Sequence, residues 1–150
     1  MTIRVRFHPS VAPPPELVPF PGAMLARLMM NEAGAGEGEV HCVLTGDAEL
    51  ADLNRRFRGK DGPTDVLAFP YDPARSDGVL GDVFVSLERA AAQAGDRGEP
   101  LAREVWRLFV HGALHLAGHD HDTPDSEREM MELQEGWVSR LRLHGRVDGL

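Results

Sequence analysis

The sequence predicts an α+β domain, a small sheet of about four strands packed with helices. Three observations predict it. Four short runs carry the alternation or the β-rich composition of strands. Longer stretches between and after them space their apolar residues as helices do. Clusters of glycine and proline separate the two kinds of segment. A chain of 150 residues can bury one sizeable core. Residues 1–150 read as a single domain, with no internal repeat and no disordered linker.

The elements follow in order. IRVRF (3–7) alternates as a first strand, and Pro13–Pro15 make a stiff connection. PGAMLARLMMNE (21–32) has helical spacing and GAGEG (34–38) breaks it. EVHCVLT (39–45) is a strand with Val40, Cys42 and Leu44 on one face. Asp47 and Glu49 favour a helix start, and AELADLNRRF (48–57) continues it. RGKDGPTD (58–65) is a loop, with Gly59, Gly62 and Pro63 supplying turn chemistry. DVLAFP (65–70) and GDVFVSL (81–87) are expected to be neighbouring strands, joined by YDPARSDG (71–78). Ser86 is placed to cap the helix LERAAAQAG (87–95), which Gly95 and Gly98 end. Pro100 fits the first turn of LAREVWRLFVHGALHLAG (101–118), whose apolar positions include Val105, Leu108 and Phe109. Thr123 and Pro124 open a last helix, with Met130, Leu133, Trp137 and Leu141 as its core-facing stripe.

Composition narrows the function classes. Hydrophobic residues make up 42% and charged residues 27%, ordinary values for a globular protein. No apolar run approaches the roughly 18 residues of a membrane helix, so no membrane partner is expected. The start MTIRVRFHPS lacks the apolar stretch of a signal peptide. Cys42 is the sole cysteine, which excludes an internal disulfide. Together these favour a cytoplasmic protein. The net charge of −8 argues against a nucleic-acid binder held by a broadly positive surface. The charge is uneven, however. Residues 1–60 hold seven acids and seven bases, against 17 and nine in residues 61–150. The first part ends in a basic run, Arg55, Arg56, Arg58 and Lys60.

The stretch HGALHLAGHDH (111–121) holds four of the seven histidines. On a helix, His111 and His115 lie on one face, one turn apart. Two imidazoles so placed can close on one metal ion, each at about 2.0–2.1 Å. Gly118 is a natural helix terminator. On an unbroken helix, His119 would lie about 12 Å along the axis from His111, too far to share an ion. With the helix broken, His119 and His121 are both free to swing in. His121, three residues past the glycine, has room for the reversal. His111, His115 and His121 are therefore the expected ligands of one ion per chain, with His119 beside the site. Three histidines leave a fourth position open, as in catalytic zinc (Zn2+) sites. Nickel, cobalt or iron also suits three imidazoles. His8, His41 and His144 have no such context.

This zincin-like spacing, HxxxHxxGxxH, is that of the metzincin proteases, HExxHxxGxxH. There the glutamate is the general base. Here Gly112 holds that position, so this chain cannot take that step the same way. Asp120 and Glu104 are acids near the motif, and their role stays open.

The motif HGALHLAGHDH, together with LNRRFRGKDGPTDVLAFP, resembles the YbeY family of bacterial rRNA maturation factors. The family pattern HGxLHLxGxDH matches at the three histidines. Its second pattern, LNxxxRxxDxPTDVLSFP, matches at Leu53, Asn54, Arg58, Asp61 and 63–70, with one exception: Ala68 stands where the family often has serine. Gly81 to Val83 also fit, and His119 replaces a common tyrosine. The resemblance covers residues 50–135 well. It implies an α+β fold with the metal at the mouth of a cleft, and Arg58 as the functional arginine. It implies a single-strand-specific, metal-dependent endoribonuclease acting at the 3′ end of 16S rRNA and in ribosome quality control. The partners implied are single-stranded RNA and the ribosome or its proteins; no DNA is expected.

The residue chemistry agrees. Phosphodiester cleavage gathers negative charge on phosphorus. A metal ion can polarise one phosphate oxygen and an arginine fork can hold others. Arg55, Arg56, Arg58 and Lys60 can line a local basic groove. The nucleophile stays open between water and the RNA 2′-hydroxyl. Two rival readings remain: a metallohydrolase acting on peptides, and a non-catalytic ribosome-assembly factor whose metal stabilises the fold.

Overall fold

The computed structural model describes residues 1–17, 20–62, 64–72, 74 and 77–140. It has four strands, β1 (Thr2–Phe7), β2 (Glu39–Thr45), β3 (Val66–Pro70) and β4 (Val79–Ser86). It has five α-helices: α1 (Gly22–Ala33), α2 (Asp47–Arg58), α3 (Leu87–Arg97), α4 (Leu101–Leu116) and α5 (Pro124–Ser139). The α+β class and the strand count are as the sequence predicts. The strands form one sheet in the order β1-β2-β4-β3. β1, β2 and β4 are parallel, and β3 runs antiparallel along the edge. The parallel β1–β2 pair needs a crossover, which α1 supplies.

Alternation gives each strand two faces. Cys42, Val83 and Ala68 lie in one row across β2, β4 and β3, and all three are buried. This face packs under α4, whose Val105, Phe109 and Ala113 join the same core. Phe109 also meets Phe20 edge-on at 5.7 Å. At Gly112 the helix passes so close to β4 that an added Cβ would overlap Val83. The glycine after the first histidine of the motif is thus a packing requirement. The opposite face carries Phe84 and Phe69 and is partly covered by α2.

Helix ends follow local chemistry. Thr123 caps α5 in a reciprocal box with Ser126, and Pro124 takes the first position. Ser86 caps α3 by accepting from the Arg89 N–H at 3.2 Å. Several boundaries differ from the sequence expectation. α2 includes Arg58, because the chain turns only at Gly59, whose N–H donates to the Arg55 carbonyl at 3.2 Å. α3 runs through Gly95 and ends at Gly98, where the chain takes a left-handed conformation. Pro100 sits just before α4 rather than within its first turn. The stiff connection holds a 3₁₀ turn at Pro15–Leu17 that buries Leu17. Pro63, Leu141 and His144 lie outside the described residues. Among the described residues, no helix is long and apolar enough to cross a membrane.

Candidate metal centre and cleft

α4 sets His111 and His115 one turn apart, with ring centroids separated by 4.8 Å. The helix then stops in a Schellman reversal. The Gly118 N–H donates to the His115 carbonyl, and the His119 N–H to the Leu114 carbonyl, both at 3.0 Å. Gly118 has φ +100°, a conformation that side chains resist. The reversal returns His121 to the helix, with its ring 5.2 Å from His115 and 6.0 Å from His111. One ring nitrogen from each of the three lies within 4.8 Å of the others. His111 and His115 are half-buried and His121 is exposed, so the cluster opens toward solvent.

The spare nitrogens and protonation states suit a metal. His111 Nδ1 lies 2.7 Å from Gln134 Oε1. The Gln134 amide donates from Nε2 to Glu135 at 3.0 Å, so its oxygen is the accepting atom. His111 Nδ1 therefore carries the proton, which leaves the Nε2 lone pair for a ligand. Burial, followed by the nearby His111, His121 and Arg58 charges, lowers the His115 pKa to about 4. At neutral pH His115 is an unprotonated imidazole. The donor set fits a nitrogen-preferring divalent ion.

Behind Gln134 stands a charged network. Arg107, 5% exposed, donates to Glu135 at 3.0 Å, Glu99 at 2.7 Å and Glu104 at 2.6 Å. Hydrogen bonds from Arg107 hold the Glu99 carboxyl below its ordinary pKa. For Glu135, burial opposes the shift, but hydrogen bonds from Arg107 and Gln134 outweigh it and lower the pKa. Glu104 is thereby committed to Arg107, and to Arg97 at 3.4 Å, rather than to the histidines. A cleft of about 380 Å³ opens between these helices and β3, with His111, Gln93, Arg97 and Met131 in its wall.

The other expected residues are placed as follows. His119 turns toward α1, 3.4 Å from Glu32, and not into the cluster. Asp120 accepts from the Asp122 N–H at 3.2 Å and organises the loop before α5. Arg58 donates to the Ala68 carbonyl at 3.1 Å, and its charge acts on His115. Asn54 braces the following loop through the Gly62 carbonyl at 3.1 Å. Arg55 and Arg56 both pair with Asp52. Gln134 and Arg107 were not evident in the sequence reading. The one signal for Gln134 was a polar residue at helical spacing between Met130 and Trp137, on an otherwise apolar stripe.

Fold and cluster together define a class: a single-sheet α+β domain whose three histidines can hold a metal ion, with one of them, His111, in the wall of a cleft. The model of the family described as Endoribonuclease YbeY matches residues 22–142. An endoribonuclease YbeY of Carboxydothermus hydrogenoformans is 47% identical over 116 residues, covering 77% of this chain and 80% of that one. One from Moorella thermoacetica is 43% identical over 138 residues, covering 85% and 88%. The solution structure of TM1509 from Thermotoga maritima is similar at a TM-score of 0.57 and 28% identity, covering 91% of this chain and 87% of that one. The chain belongs to the YbeY endoribonuclease family.

Proposed function

We propose that this protein is a zinc-dependent endoribonuclease that cleaves single-stranded RNA during rRNA processing. Its task in this reading is 16S rRNA 3′-end maturation and ribosome quality control, in the cytoplasm and with the ribosome or its proteins as partners. The observation that carries the reading is the three-histidine cluster, with the Arg58 charge acting on His115, in a chain of the YbeY family. His111, His115 and His121 hold one ion. When bound, the ion supplies Lewis-acid charge to a phosphate oxygen. Gln134 fixes the His111 tautomer. Arg58 is the catalytic residue, and its fork holds the remaining phosphate oxygens as negative charge builds on them. The Ala68 carbonyl presets the direction of that fork.

Two features weigh against a peptide substrate. Position 112 has no room for a glutamate base. The Ala68 carbonyl, on the edge strand that an extended peptide would pair with, is already taken by Arg58.

The test is cleavage of a labelled single-stranded rRNA fragment by metal-loaded protein, beside His115→Ala and Arg58→Ala. The parent cleaves, and each folded variant loses about 100-fold or more. Full activity in either variant removes that residue from the site. No cleavage of RNA by the parent, with normal ribosome maturation in Arg58→Ala cells, would favour the assembly-factor reading.

A further inference from the structure

The sheet face turned away from α4 carries aromatic rings that the proposed chemistry leaves unused. Phe57 at the end of α2 is 62% exposed, and Tyr71 is 39% exposed. Phe57 meets Phe69 at 5.6 Å, and Phe69 meets Phe84 at 5.9 Å, both edge-to-face. Beside them lies an apolar hollow of about 360 Å³, with the Tyr71 hydroxyl donating to Asp82 at 2.6 Å on its rim. Exposed rings gathered in this way mark a binding surface. Two guanidinium groups lie against the rings, Arg56 at 5.2 Å from the Phe57 centroid and Arg58 at 6.0 Å from that of Phe69. Rings for bases beside arginines for phosphates make a surface complementary to single-stranded nucleic acid.

We propose that Phe57, backed by Phe69, stacks an unpaired base of the RNA next to the phosphate that Arg58 holds. This rests on the endoribonuclease reading and adds a source for single-strand preference. A base inside a duplex has both faces covered by its neighbours and cannot reach the ring. Phe57 and Arg58 are adjacent in the chain, and both side chains approach Phe69, so base and phosphate sites are contiguous. The Arg56–Asp52 pair is exposed, and exchanging it for a phosphate costs little.

The experiment measures binding and cleavage of a short labelled single strand by the metal-loaded parent, Phe57→Ala, Phe57→Leu and Phe57→Trp. Phe57→Ala and Phe57→Leu weaken binding on the order of tenfold and raise KM more than they lower kcat. Phe57→Trp retains binding. An abasic site beside the cleaved bond weakens the parent similarly and adds no further loss in Phe57→Ala. If Phe57→Ala matches the parent while Arg58→Ala fails to cleave, stacking is wrong and the nuclease reading stands. If the parent neither binds nor cleaves single strands, both fall. If Phe57→Ala binds RNA normally but loses affinity for a ribosomal subunit, the face is a protein docking surface and the inference is overturned.

Discussion

At the residue scale, the cluster depends on which ring nitrogen of His111 is free. Gln134 decides that through one 2.7 Å hydrogen bond across 23 residues of chain. Gln134→Leu should lower metal affinity about 10–100-fold, measured by competition with a chromogenic chelator. Gln134→Glu keeps an acceptor at that position and should retain most of the affinity. Unchanged affinity in Gln134→Leu would remove this role. Arg58→Lys should cleave far more slowly than the parent, because an ammonium keeps the charge and loses the fork. The three histidines were legible in the sequence because four-residue spacing and a following glycine are local facts. Gln134 was not, because its meaning depends on how α5 is rotated against α4. His119 lay outside the expected ligand set, and the backbone at Gly118 turns it toward Glu32 instead.

At the element scale, α4 does two jobs. One side packs on the sheet, and its C-terminal half presents His111 and His115, with His121 in the segment that follows the helix. Gly112 joins these jobs by letting the helix lie against Val83. Gly112→Ala should destabilise by about 1–3 kcal/mol in chemical denaturation and weaken metal binding as well, since α4 must shift. The Arg107 network ties α3, α4 and α5 together, and its contribution depends on pH. The folded-state pKa values of Glu99 and Glu135 lie below the ordinary value of 4.5. The stability they contribute is therefore present above about pH 4.5 and is lost as pH falls through the lower folded values. Melting temperature should drop on acidification through that window, and less steeply in Glu99→Gln, which cannot titrate. An equal drop in both proteins would show that Glu99 is not responsible. Element types were legible from periodicity and caps. The ends of α2 and α3 shifted because Gly59 and Gly98, rather than Arg58 and Gly95, adopt the left-handed conformation.

At the scale of the whole molecule, one core serves the sheet and the helices on its α4 face, and the histidine cluster sits where α4 leaves that core. Alternation and β-rich composition predict the number of strands. They carry no information on the order β1-β2-β4-β3, which depends on contacts between segments far apart in sequence. That order leaves β3 at an edge, where Arg58 of α2 donates to the Ala68 carbonyl. The net charge of −8 does not conflict with an RNA substrate, because Arg56 and Arg58 lie together against the rings of Phe57 and Phe69 and make the charge locally positive there. The most direct test of the account is a titration. Protein stripped of metal is given zinc in increasing equivalents, and cleavage of a labelled single-stranded rRNA fragment is followed. The account predicts no cleavage without metal, a rise that saturates at one ion per chain, and no rise in His115→Ala. Equal cleavage by stripped and zinc-loaded parent would contradict it.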